Sequence, residues 1–324
     1  MDFINREPMN LLQDRIRIHR RQLLRRMGYP AVPEPAQADI EPTVRCNLRC
    51  TACQHSTWSR KVPDMSIDLF RSVLDGFPDL REIKLQGMGE PLLNTSCCSM
   101  IREAASRNIA VKIYTNGTQF SYQNIEALIG SGVREVFVSC DHHLPEVVRN
   151  KRPGIDFEAY SRGVKNFTSS ADDSITVAAW ALASKVLFND FRAFRQYIGR
   201  LGFRRLFVQC DITGWGESST GEIPPPEEEF PGDDGLDVTF LHTNRFSPET
   251  PCPWPFYHTY ITAEGKVQPC CILSDPARKT LGDLTRQPLY RIWNSGRYFA
   301  FRKAITSGNI WEECRNCYRK RIPS

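Results

Sequence analysis

Between residues 39 and 215, short runs of β-branched and apolar residues alternate with longer stretches whose apolar positions recur every three or four residues. The short runs predict strands at 40–44, 82–85, 111–114, 135–139, 176–182 and 206–208. The longer stretches predict helices at 66–74, 96–106, 123–129, 157–167 and 191–200, with Gly132 and Gly202 placed to stop the third and fifth. Strand–helix units in this succession predict an α/β fold, a parallel sheet clad in helices. Chemistry in such folds gathers at the C-terminal ends of the strands.

Outside that span the pattern changes. Residues 1–38 predict a helical extension, because Leu12, Ile16, Leu23 and Met27 recur at roughly helical spacing. Residues 216–250 carry Gly216, Gly221, a run of Pro224-Pro225-Pro226, then Pro231, Gly232 and Gly235, which predicts a linker or a lid. Residues 251–324 predict a small cysteine-bearing domain.

Composition changes the picture in two places. The chain has 324 residues, 24% of them charged, with a net charge of +5. Six arginines lie between Arg15 and Arg26, but no aromatic residue interleaves them, so a solvated helix face is expected rather than a nucleic-acid contact. No apolar run approaches membrane-spanning length, and the N-terminus lacks a signal-peptide layout; a cytoplasmic protein without membrane or nucleic-acid partners is expected. The second feature is the set of twelve cysteines. Clustered cysteines in a reducing compartment bind metal or do catalysis more often than they form disulfides.

One cluster, Cys46-Asn47-Leu48-Arg49-Cys50-Thr51-Ala52-Cys53, directly follows the first strand. Three thiolates on one loop can hold three irons of a four-iron cluster and leave the fourth open. The alternative is half a zinc site, with His55 as a further ligand. Gly87-Met88-Gly89-Glu90-Pro91 follows the second strand, Thr115-Asn116-Gly117 ends the third, and Ser139-Cys140-Asp141 ends the fourth. A later group joins Cys252, Gly265-Lys266-Val267-Gln268-Pro269-Cys270 and Cys314-Arg315-Asn316-Cys317, enough thiols to enclose a second cluster. The alternative there is a four-cysteine zinc ribbon. Glycine spacing favours Cys270 over Cys271 as the ligand.

These motifs in this order resemble the radical S-adenosylmethionine (SAM) superfamily, with a C-terminal auxiliary-cluster domain of the SPASM or smaller twitch type. Ala52 departs from the family, which usually has an aromatic residue there. The resemblance implies an α/β partial (β/α)6 TIM-like barrel carrying a small C-terminal cluster-binding domain. It implies two [4Fe-4S] clusters and SAM as cofactors, with Cys46, Cys50 and Cys53 on the first cluster and Cys252, Cys270, Cys314 and Cys317 on the second. By resemblance Gly87, Gly89, Glu90, Asn116, Ser139 and Asp141 would face SAM or substrate, as would Arg149 and Arg152 of a following R-x-G-like stretch. For Arg149 and Arg152 the competing expectation is surface charge. Cys140 and Cys210, near strand ends, are candidate hydrogen-atom donors, although burial without chemistry is the simpler expectation.

The function so implied is hydrogen abstraction from a small polyol, sugar, aminocyclitol or nucleoside. The expected outcome is oxidation or epimerisation in natural-product (antibiotic) biosynthesis, with flavodoxin or ferredoxin as reductant. The alternative is a maturase of a ribosomal peptide; the short stretch before the first strand favours the small molecule. A zinc-stabilised nucleic-acid-binding protein would leave the glycine segment unexplained.

Overall fold

The computed structural model of the chain describes residues 32, 34–57, 60–210, 235–241, 246 and 251–318. The first strand, β1 (Gln37–Ile40), is followed by β2 (Glu82–Leu85), β3 (Ala110–Thr115), β4 (Glu135–Ser139), β5 (Thr176–Leu182), β6 (Arg205–Gln209) and β7 (Asp237–Leu241). Each pairs in parallel with the next. Helices Ile67–Gly76, Cys97–Ser106, Tyr122–Ile129, Phe157–Ser170 and Phe191–Arg200 fill the crossovers. Ser66, Ser121 and Asp156 cap three of them by accepting a backbone N–H from the first turn. Gly132 and Gly202 adopt positive φ just beyond two helix ends, as the sequence led one to expect.

Side-chain parity divides the sheet into two faces. Ala38, Ile40, Ile83, Leu85, Val111, Ile113, Val136, Val138, Ala179, Ala181, Leu206 and Val208 share one core with the helices. The opposite, interior face of the partial barrel carries Asp39, Lys84, Lys112, Tyr114, Phe137, Trp180 and Phe207, set by the same registers.

Three features depart from the sequence reading. The first strand ends at Ile40, because Pro42 has no N–H to continue the ladder and the predicted 40–44 run lies beyond it. Strand β7 lies inside the stretch expected to be a linker, while residues 216–234 and the N-terminal arginine helix fall outside the described residues. The third departure matters most. Strand β8 (His258–Ile261) pairs in parallel with β1, and β9 (Lys266–Gln268) and β10 (Gly282–Asp283) extend the same sheet antiparallel beyond it. The cysteine-bearing C-terminal region thus extends the barrel's own sheet from its first strand, a pairing that no local pattern announces. Ile261, fully buried between Ile40 and Val267, sits in that seam. Ile261→Ala should destabilise the fold by about 2–5 kcal/mol, seen as a lower urea midpoint with an unchanged slope.

Candidate active site

The loop carrying Cys46, Cys50 and Cys53 leaves the C-terminal end of β1 and is pinned from two sides. Arg49 and Thr51 donate their N–H groups to the carbonyls of Pro153 and Lys151, at 3.2 and 3.0 Å. Asn47 donates to Thr118 Oγ1 at 2.8 Å, and Asn116 Nδ2 donates to Asn47 Oδ1 at 3.0 Å while lying 3.8 Å from Cys46 Sγ. The three thiols lie close enough for their charges to act on one another. Burial raises the pKa of each, to about 11 for Cys50, and the buried Arg152 guanidinium opposes the rise at all three. Cys46 accepts the N–H of Leu48, and Cys53 that of His55 at 3.4 Å. Donors aimed at sulfur beside a buried cation suit thiolates, the form that iron requires.

The Nε2 of His55 sits 2.9 Å from the Val44 carbonyl.

The glycine segment is shaped by what lies behind it. A Cβ on Gly89 would stand 2.3 Å from the Thr43 carbonyl oxygen and 2.6 Å from that of Arg45. One on Gly87 would meet Glu41 Cγ at 2.5 Å. The glycines therefore let this segment press against the base of the cysteine loop, whatever they also offer a ligand. Glu90 has a structural task that its expected role did not include. Its carboxylate is buried and accepts from Thr115 Oγ1 (2.7 Å), Asn116 N (2.6 Å) and Leu92 N (3.2 Å), so it ties the glycine segment to the end of β3.

At the end of β4, parity puts Ser139 on the interior face. Its carbonyl accepts from Arg152 Nη1 (3.1 Å) and Tyr160 Oη (2.8 Å). Arg152 Nε donates to Asp141 Oδ2 at 2.5 Å, and the guanidinium holds the Asp141 carboxyl below its ordinary range despite burial. Arg149 lies elsewhere: it forms a two-pronged exposed pair with Glu158 and touches none of these groups. Its expected cofactor contact is replaced by surface charge.

The two candidate hydrogen donors also move. Cys140 continues the Val136–Val138 parity and Cys210 that of Val208, so both thiols enter the helix-packed core. Cys140 lies 2.9 Å from Tyr160 Oη, and Cys210 is fully buried. Neither faces the barrel interior.

The C-terminal thiols surround a cavity lined by Cys252, Cys270, Cys314 and Cys317, with Trp254, Leu273, Phe301 and Ile305 as its apolar wall. Cys252 accepts the N–H of Trp254, and Cys270 those of Leu273 and Ile272. Four thiols, converging N–H donors and a dry wall suit a fully ligated cluster. Cys271 does not line this cavity. Burial, Asp39 of the interior face and the cavity thiol Cys317 push its own thiol up to about 12, and Lys84 opposes them.

Sequence reasoning missed Glu41. This carboxylate is completely buried where β1 gives way to the cysteine loop. It accepts from Met88 N (3.2 Å), Tyr260 Oη (3.0 Å), Ala263 N (3.2 Å) and Arg60 Nη2 (3.0 Å); Arg60 also pairs with Glu264. Desolvation raises its pKa, and Arg60 with the other donors opposes the rise. One buried carboxylate thereby joins the glycine segment, the chain after the cysteine loop and the hairpin leading to Cys270. Glu41→Leu should strand four donors and weaken SAM binding at least about tenfold, measured by equilibrium dialysis on reconstituted protein. Glu41→Gln, which keeps one acceptor, should lose less.

Comparison with known proteins agrees with this architecture. Residues 40–178 match the model of the radical SAM superfamily, and residues 252–318 that of the SPASM iron-sulfur cluster-binding domain. The chain is 30% identical over 319 residues to the AdoMet-dependent heme synthase of Methanosarcina barkeri, covering 87% of this chain and 88% of that protein. It is 25% identical over 316 residues, 86% of each chain, to the tungsten-containing aldehyde ferredoxin oxidoreductase cofactor-modifying protein of Pyrococcus furiosus. It is 22% identical over 317 residues to the PqqA peptide cyclase of Streptomyces rochei, covering 90% and 84%. In fold it is similar to Streptococcus suis SuiB bound to S-adenosylmethionine, with a TM-score of 0.71, 14% identity and coverage of 95% of this chain and 75% of that one. The protein belongs to the radical SAM superfamily, and its C-terminal region is a SPASM iron–sulfur domain whose presence implies [4Fe-4S] clusters alongside SAM.

Proposed function

We propose that this protein is a radical SAM oxidoreductase whose organic substrate lies against the interior face of the barrel, between two iron–sulfur sites. The observation that carries this reading is the divergence of Cys270 and Cys271. The first lines the four-cysteine cavity, while the second is absent from that lining and feels the charges of Asp39 and Lys84, two residues of the interior face, as well as that of Cys317. One peptide bond therefore separates the cluster cavity from the surface where a substrate would lie.

In this reading Cys46, Cys50 and Cys53 hold the SAM-binding cluster, and Cys252, Cys270, Cys314 and Cys317 hold the second. When bound, the reduced first cluster with SAM supplies a 5′-deoxyadenosyl radical for hydrogen abstraction, and the second supplies a one-electron acceptor. The chain's own task is placement. Asn116 and Asn47 fix the cysteine loop, and Glu41 and Glu90 fix the glycine segment against it. Ser139, on the interior face, and Arg152, held by Asp141, line the approach at the end of β4. A ferredoxin or flavodoxin is the proposed electron source, and residues 39–215 and 251–324 are the proposed catalytic and auxiliary units. Among the described residues no helix is long and apolar enough to cross a membrane.

For the substrate, the sequence-based expectation of a polyol, sugar, aminocyclitol or nucleoside is narrowed by the aromatic interior. Tyr114 stacks on Phe137 at 4.6 Å, and Trp180 and Phe207 close the group. A small molecule with a flat unsaturated portion, such as a nucleobase, suits that wall better than a saturated polyol. The second reading is a peptide, supported by similarity to the PqqA peptide cyclase over most of both chains.

Anaerobic reconstitution should yield about eight irons per chain if both sites hold four-iron clusters. Cys46→Ala should abolish 5′-deoxyadenosine formation, whereas Cys314→Ala should retain part of it. A chain that takes up zinc and no iron, or equal and complete loss in two well-folded variants, would contradict the proposal.

A further inference from the structure

Among the described residues, the buried or half-buried cations around the site are mostly paired with carboxylates. Lys112 Nζ lies 3.1 Å from Glu82 and 3.0 Å from Glu135. Arg60 pairs with Glu41 and Glu264, and Arg152 with Asp141. Lys84 stands between these pairs on β2, in register with Asp39 on one side and Lys112 on the other. Its flanking residues Ile83 and Leu85 are fully buried among the helices, so its own side chain takes the interior face, where it is half-buried. Among the described residues no carboxylate lies within ion-pair distance of it. Asp39, the nearest by register, is engaged through one oxygen with His258 Nε2 at 2.8 Å and through the other with Gln86.

A half-buried ammonium with no carboxylate in reach keeps its charge available to a ligand that enters this face. By register Tyr114 stands two residues beyond Lys112, the neighbour of Lys84 on the next strand, and begins an aromatic row that Phe137, Trp180 and Phe207 continue across the same face. Phe137 is buried, while Tyr114, Trp180 and Phe207 are each only partly buried. A cation at the head of a partly open aromatic row is complementary to an oxyanion carried on a flat unsaturated body.

We propose that Lys84 is the anchor for an oxyanion of the substrate, a carboxylate or a phosphate, whose flat portion rests against Tyr114, Trp180 and Phe207. This deepens the function proposed above and rests on its placement of the substrate in the barrel interior. Lys84 is then a specificity residue: it selects for charge and sets which carbon of the substrate faces SAM, while taking no part in the chemical step.

The test uses reconstituted holoenzyme with SAM, titrated anaerobically by calorimetry with indole-3-acetate, its neutral isostere indole-3-acetamide, and phenyl phosphate. Wild-type protein should bind at least one of the two anions about tenfold or more tightly than the amide, the gain expected of a charge-assisted contact. Whichever anion binds more tightly identifies the oxyanion. In Lys84→Met that preference should shrink to within about twofold, and Lys84→Arg should restore most of it. Equal binding of the amide and both anions by the wild type, or an undiminished preference in Lys84→Met, would overturn the assignment. Formation of 5′-deoxyadenosine by the wild type is followed in parallel. Its absence would sink the radical SAM oxidoreductase reading; its presence without anion preference would sink only the role of Lys84.

Discussion

A single buried carboxylate, Glu41, holds the geometry of this protein together. It has no access to water, so its charge is tolerable only because four donors surround it. Those donors come from parts of the chain far apart in sequence: Met88 of the glycine segment, Arg60 beyond the cysteine loop, and Tyr260 with Ala263 in the C-terminal hairpin. None can shift far without leaving a charge unsatisfied in the interior. The distance between the SAM-type segment and the second cysteine group is therefore set by hydrogen bonds, where shape-filling alone would allow slippage.

Much of this was legible in the sequence, and the limits are physical. Strands 82–85, 135–139 and 176–182 coincide with those observed because alternation or a β-branched run ends at clear turn residues. The first strand was displaced because Asp39 and Glu41 are buried polar residues, which read as surface in any hydrophobic pattern. Strand β7 was missed because it lies within a stretch rich in proline and glycine, and the pairing of β8 with β1 leaves no local signal. The cysteine spacings were informative since cluster ligands must be presented by short loops. The orientation of Cys140 was readable too: it stands two residues after Val138 and four after Val136, which assigns it to the helix side. Arg149 and Arg152 show the opposite limit. They stand three residues apart on similar text, yet one meets solvent and Glu158 while the other is buried on Asp141.

The interior face also shows how charge is managed in a barrel that must remain partly hollow. Lys112 is shared by Glu82 and Glu135, and Asp39 by His258 and Gln86, with the Trp254 ring tilted against His258 at 3.9 Å between ring centres. These groups form a rigid polar floor around the aromatic group. A surface whose polar atoms are already engaged resists collapse and keeps its shape for a ligand.

The seam between β1 and β8 has a consequence for how the protein is made. Asp39 and its partner His258 are 219 residues apart. At ordinary synthesis rates the first strand leaves the ribosome on the order of ten to forty seconds before the strand that completes it. During that interval β1, from which the loop bearing Cys46, Cys50 and Cys53 departs, is an uncovered edge of a parallel sheet. Shielding that edge until the C-terminal hairpin arrives is as much a requirement of the fold as any contact in the finished structure.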